Sequence, residues 1–209
     1  MRNLILVILL TVVVNTAWAQ RFHLGAIGGM NVSQIDGDDL TGYDKKGWTF
    51  GIRSVATINE SLNFSTELLY SERGSVSKDF SSTIIKRKLD LNYAEINFLF
   101  NIMDWYNAYT KRYKMQYSFG ISMGRLVKTS IFDNIASESN FENYQPEFQN
   151  KDLSFMVGGS YFVTKKIGIT GRFSRSLSKL FDANNTELKI NKIRNFKGYF
   201  VSAQVFYML

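Results

Sequence analysis

The 209-residue chain carries 25 basic and 18 acidic side chains, one histidine, one proline and no cysteine. The missing cysteine excludes disulfides, thiolate zinc sites, a cysteine nucleophile and an N-terminal lipoprotein anchor. Aromatic residues reach 15%, with 17 Phe and 11 Tyr, yet no internal stretch approaches the ~20 apolar residues of a membrane-crossing helix.

Residues 1–19, MRNLILVILLTVVVNTAWA, combine Arg2 with an apolar run from Leu4 through Val14 and close on Ala17-Trp18-Ala19. This is the pattern of a secretory signal peptide cleaved after Ala19, and an apolar core of about eleven residues is too short for an anchor helix. The expected mature protein, 20–209, loses Arg2 and keeps 24 basic against 18 acidic residues, an excess of six. On an exported protein that excess suits lipid phosphates better than nucleic acid.

The mature chain then alternates apolar and polar residues, without a helical period of 3.6. In 22–34 Phe22, Leu24, Ala26, Met30 and Val32 share one face, with His23, Gly25, Gly29, Asn31 and Ser33 on the other. Segment 47–59 sets Trp48, Phe50, Ile52, Ala56 and Ile58 against Thr49, Gly51, Arg53 and Thr57. Segment 61–73 sets Leu62, Phe64, Leu68 and Tyr70 against Asn63, Ser65, Glu67 and Ser71. In LNYAEINFLF (91–100), Ala94, Ile96, Phe98 and Phe100 oppose Tyr93, Glu95 and Asn97. Segments 113–127, 167–178 and 196–209 repeat the pattern, and the phase of 153–163 stays open. The links near 59–61 and 164–166 are tight, whereas 35–46, 74–86, 128–151 and 181–193 are long and polar. The 101–112 link, with Trp105, Tyr106 and Tyr109, is long for a turn on the tight side; its aromatics suit a membrane interface or a docking surface.

Short turns at one end and long loops at the other predict an all-β fold, an eight-stranded antiparallel up-and-down transmembrane β-barrel in one domain. The rival is a soluble barrel with its apolar face around a ligand; its water-facing side would carry more Lys and Glu than these Gly/Ser/Thr faces do. Leu209, Tyr207, Val205, Ala203, Val201 and Tyr199 alternate back from the C-terminus like the signal read by outer-membrane assembly machinery.

GAIGGMNVSQIDGDD (25–39), ELLYSERG (67–74), NYAEINFLF (92–100) and GGSYFVTKKIGITGRFSRSLSKL (158–180) come in an order and spacing that resembles the PorT-like outer-membrane β-barrel family of Gram-negative bacteria. The resemblance covers the mature chain and implies the fold and the outer membrane, with no activity carried over. One departure stands out: Asn97 occupies the place of the family's proline, which leaves the kink or register of the fourth strand open.

Nothing in the sequence assembles a catalytic set. Lipid-modifying barrels use histidine with serine and a carboxylate at the outer rim, whereas His23 lies near the mature N-terminus. No zinc pair, phosphate-cradling glycine loop or nucleophile elbow is present. Asp36, Asp38 and Asp39 cluster, but without calcium-loop spacing or a bidentate Glu. The chain is therefore expected to be no enzyme and to need no cofactor or metal. Arg125, Lys128, Arg175 and Lys179 fall near the outer strand ends, as contacts for lipopolysaccharide phosphates or as ordinary rim charge.

A turn centred on residue 60 puts Arg53 opposite Glu67, and Glu95 and Arg172 fall at similar depth. An eight-stranded barrel is just wide enough to be filled by side chains. The expectation is one lumen network of Arg53, Glu67, Glu95 and Arg172, with Gln116 and Gln204 beside it, plugging a monomeric barrel. Its role would be structural or interaction-based, through the extracellular loops, with lipopolysaccharide and an envelope protein as partners. The alternative is a narrow pore or an accessory subunit of a secretion or transport assembly.

Overall fold

The computed structural model describes residues 22–36, 45–78, 85–133, 149–180 and 197–209. The expected signal peptide, Asp38 and Asp39 lie outside them. The strands are β1 (Phe22–Asp36), β2 (Lys45–Thr57), β3 (Leu62–Lys78), β4 (Ile85–Asn107), β5 (Arg112–Asp133), β6 (Lys151–Phe162), β7 (Ile167–Ser176) and β8 (Lys197–Met208). Each pairs antiparallel with its sequence neighbours, and β1 closes onto β8 with Met30 opposite Ala203. The result is a closed eight-stranded barrel with no free edge along its wall.

Local chemistry builds the three short turns at one end. The Asn59 carboxamide oxygen accepts from the backbone N–H groups of Ser61 (3.0 Å) and Leu62 (2.8 Å). Asn107 accepts from Thr110 N (3.0 Å), and the Thr164 hydroxyl accepts from Lys166 N (3.2 Å) and Ile167 N (3.0 Å). Such side-chain acceptors stand in for backbone partners in tight turns. Phe22 and Leu209 share this end, the periplasmic side of an outer-membrane barrel.

Period-two alternation sets the faces. On β7 every second residue from Ile167 to Arg175 is exposed and every second one from Gly168 to Ser176 is buried. β6 takes the same phase: Leu153, Phe155 and Val157 face outward, and Asp152, Ser154 and Met156 inward. Outward residues are mainly apolar and inward ones mainly polar, the inverse of a soluble barrel and the arrangement lipid demands.

Several segment boundaries differ from the sequence reading. β4 and β5 run to 23 and 22 residues, about 75 Å of chain against a hydrocarbon core of ~30 Å. Most of 101–112 is therefore strand: Met103 pairs with Gln116 and Asn107 with Arg112. Only 108–111 form the turn. At the other end 74–78 and 128–133 are also strand, since β3, β4 and β5 continue pairing beyond their neighbours. Outward residues change character at that level, from Leu68, Tyr70, Ala94, Ile96 and Met123 to Glu72, Asn92, Asp90 and Lys128. The three-stranded extension thus stands clear of the apolar band.

Asn97 leaves the register of β4 intact: Glu67 and Ser122 flank it on the two neighbouring strands. The irregularity sits instead at Asn92/Tyr93, where β5 skips one residue, and at Ser77/Lys78 in the β3–β4 ladder. Trp105 (φ 55°) and Lys111 (φ 50°) have positive φ near and within the 108–111 turn, and Gly74 has a φ of 146° inside a strand. Ser33 holds it there, its hydroxyl accepting from Gly74 N (2.9 Å) and donating to Gly74 O (3.0 Å). A Cβ at residue 74 would collide with the Leu89 carbonyl oxygen.

Candidate functional site: the charged lumen

Turn geometry and register place Arg53 on β2 directly opposite Glu67 on β3, both inward and buried. Arg172 reaches Glu67 from β7, across the barrel. Its Nη1 donates to Oε2 (2.6 Å) and its Nη2 to Oε1 (2.7 Å), a fork-on-fork pair. Parallel charge-assisted bonds of this kind are among the strongest polar contacts. Asn97 Nδ2 also donates to Glu67 Oε2 (3.2 Å), a bond that a proline there could not make. Arg53 takes what remains: its Nε lies 3.6 Å from Glu67 Oε1, and its guanidinium lies 4.8 Å from the centre of the Phe206 ring.

Glu95 belongs to a different cluster, which corrects the single network expected from sequence. It pairs with Arg73, whose Nη1 also donates to Asp152 Oδ2 (2.8 Å). Arg73 is clamped between aromatic faces, 4.0 Å from the Phe200 ring centre and 4.9 Å from that of Tyr93. Ser154 and Ser178 donate to Asp152 (2.9 and 3.0 Å), and Ser122 to Glu95 (3.4 Å). The cause of the split is depth. Arg73 is six residues beyond Glu67 toward the extracellular end of β3, and Asp152 six beyond Gly158, the partner of Arg172.

The two glutamines stand apart from the ion pairs. Gln116 Nε2 donates to Asn101 Oδ1 and Ser118 Oγ (both 3.1 Å), and Asn101 donates on to Ser65 (2.9 Å). This neutral cluster lies toward the periplasmic end. Gln204 is buried on β8 between Gly29 and Thr170, with no hydrogen bond to the charged groups among the described residues.

The charges form two groups with opposite sums. Arg53 and Arg172 face Glu67 in the periplasmic half, leaving one positive charge; Arg73 faces Glu95 and Asp152 in the extracellular half, leaving one negative charge. Above the second group Ile35, Val76, Leu89, Leu91, Leu180 and Phe200 are buried. The space between Arg73 and Ile35, Leu91, Leu180 and Phe200 is about 10 Å³, room for at most a single water.

Outside, Arg125, Lys128, Arg175 and Lys179 are exposed. Arg125 is the outward residue following Met123, and Arg175 follows Phe173, so both sit just past the apolar band. Lys46, Lys151 and Lys197 take the same place on β2, β6 and β8. Arg125 and Lys151 are cross-strand partners, a repulsive pairing that no acidic side chain offsets among the described residues. Below Arg125, small Ala94 leaves a groove of about 720 Å³ walled by Phe50, Ile52, Leu68, Tyr70, Ile96 and Met123.

Sequence reasoning missed Arg73 and Asp152. SERG looked like a strand end, and Asp152 fell between the expected 128–151 loop and the 153–163 segment of unfixed phase. The available signal was the two-residue step from Ser71 to Arg73, which keeps Arg73 on the inward face. Among the described residues no three His, Asp or Glu side chains converge as metal ligands, and His23 lies opposite Val55 near the periplasmic lip.

No curated protein sequence matches the chain. Among solved structures it is similar to Ail of Yersinia pestis, with 9% identity and a TM-score of 0.49, covering 90% of this chain and 98% of that one. It is also similar to Neisserial surface protein A, with 15% identity and a TM-score of 0.47 over 89% and 96%. A third, OprG of Pseudomonas aeruginosa, gives 10% and 0.41 over 91% and 97%. Residues 4–197 match the family described as outer membrane protein beta-barrel domain, and the chain belongs to that family.

Proposed function

We propose that the protein is a closed, monomeric, non-enzymatic barrel of the Gram-negative outer membrane. In this reading it is exported by a cleaved signal peptide, belongs to the PorT-like branch and acts through its extracellular face. The observation that carries the reading is the pair of ion clusters crossing the lumen. Glu67 ties β3 to β7, and Arg73 ties β3 to β4 and β6, so the walls are bridged at two depths. The Glu67–Arg172 pair and the Arg73–Glu95/Asp152 group resist hydration and movement, since separating either strands a charge in a space of low polarity. A barrel of this width leaves no room for a continuous water column past both clusters.

The outer ring supports an anchoring role. Arg125, Lys151 and Arg175 stand where lipopolysaccharide phosphates lie, and a phosphate between Arg125 and Lys151 turns a repulsion into a bridge. The groove under Arg125 then receives an acyl chain. The extension of β3, β4 and β5 carries the surface of contact beyond the lipid.

Photo-crosslinking in intact cells tests the interaction role. A photoreactive residue in place of Ser130 or Phe132 is expected to yield a discrete envelope adduct, whereas one in place of lipid-facing Val205 is not. Absence of any adduct at both extension sites would remove the interaction role and leave the pore alternative to be judged by conductance.

A further inference from the structure

The periplasmic end of the lumen is open where the extracellular half is packed. A cavity of about 370 Å³ lies there, lined by Arg53, Val55, Phe162, Phe206 and Met208 among others. Its lip carries His23, Lys165 and Lys166, and no Asp or Glu side chain lines it. The volume falls at the small end of ordinary ligand pockets, and an apolar wall with a few converging polar groups is their usual make-up.

Arg53 gives the cavity its chemistry. Both oxygens of Glu67 are taken by Arg172 at 2.6 and 2.7 Å, so Arg53 is the surplus cation of its cluster. Only 1% of its surface is exposed, and its Nη1 has no hydrogen-bond partner. Asn63 Oδ1, in the same wall, also lacks one, and its carboxamide can turn to offer N–H. A buried guanidinium with an unmet donor is costly, and native proteins seldom leave one without a purpose. An anion seated against Arg53 satisfies the donor and cancels the surplus charge. Val55, Phe162, Phe206 and Met208 exclude water around whatever carries that anion.

We propose that the periplasmic mouth is a binding site for a small amphiphile with one anionic head, a carboxylate or phosphate monoester on a medium-length alkyl chain. The head sits on Arg53, the chain runs along Phe162, Phe206 and Met208, and Lys165, Lys166 and His23 draw the ligand in from the periplasm. The site opens to the periplasm and reaches only Arg53 of the lower ion cluster, so it holds whether or not the extracellular face has a partner.

Titration calorimetry tests it, using mature protein in phosphatidylcholine nanodiscs with empty nanodiscs as baseline. Decanoate and decyl phosphate are the probes and decanol the neutral control. The expected result is saturable one-to-one binding of an anionic probe, at least about tenfold tighter than decanol, the size of one charge-assisted contact. Arg53→Gln should weaken it about tenfold or more. Lys165→Gln with Lys166→Gln, both at exposed positions, should slow association and reduce its salt dependence. If Arg53→Gln fails to assemble, Val55→Phe decides: it fills the cavity from an apolar wall position and should abolish binding in a barrel that still shows its heat-dependent gel shift. Unsaturable uptake of both anions, equal affinity for decanol, or full affinity in the Val55→Phe protein would each overturn the assignment.

Discussion

Replacing Arg73 with methionine removes the cation that two buried carboxylates share. Methionine keeps the apolar stem against Phe200, so the change isolates the charge. Glu95 and Asp152, each 3% exposed, are then left in the lumen with serine hydroxyls alone. Breaking a buried ion pair by deleting one partner costs about 3–5 kcal/mol. Two carboxylates lose their partner here, which pushes the loss up. Ser122, Ser154 and Ser178 still donate to them, which pulls it back toward about 3 kcal/mol. Urea unfolding in phospholipid vesicles, followed by fluorescence of exposed Trp48 and Trp105, measures it. The variant Arg73→Met/Glu95→Gln/Asp152→Asn should recover to within about 2 kcal/mol of the parent, because it strands no charge. A loss below about 1 kcal/mol in the single variant, or no recovery in the triple, would refute the assignment of Arg73 as the organising cation.

Gly74→Ala should lose at least about 1–3 kcal/mol in the same assay, since alanine resists the positive φ and meets the Leu89 carbonyl; unchanged stability would mean that the strand relaxes freely there. Arg125→Gln with Lys151→Gln should weaken lipopolysaccharide binding about tenfold or more in surface plasmon resonance, at about 1 kcal/mol per interfacial charge, and equal binding would return both residues to plain rim charge. In a Trp48→Phe background, lipids brominated near the headgroup should quench Trp105 more strongly than those brominated deep in the chain. Equal quenching would take Trp105 out of the interfacial belt.

Much of the wall was legible because a strand writes its environment into every second residue. The tight turn at Asn59 also fixed the Arg53–Glu67 register, since counting outward from a short turn is local arithmetic. Contacts across the lumen follow a different rule. Arg73 meets Asp152 at a separation of 79 residues, and which inward residues share a level depends on strand tilt and stagger around the closed barrel. No spacing in the sequence expresses that. Glu95 therefore pointed correctly inward while its partner was misassigned.

The strand ends were hidden for two local reasons. Gly74 reads as a turn residue, yet Ser33 holds it within the ladder. NIMDWYNAYTKR looks like a loop because polar residues interrupt it, although Met103 to Asn107 pair with Arg112 to Gln116. The adjacent Gly158 and Gly159 blur the phase of β6 in the same way, leaving its outward Phe155 and Val157 unassigned until the register with β5 and β7 is known. Asn97 shows the converse: it looked like a defect in a family pattern and is instead a donor to Glu67.

Planar-bilayer recording puts the central claim, a lumen closed by two ion clusters, to its most direct test. The account predicts that the intact protein inserts without steady single-channel current, and that Arg73→Ala combined with Arg172→Ala gives discrete openings. Steady current through the unmodified protein that Glu95→Gln abolishes would contradict it, making the lumen an ion path and Glu95 part of that path.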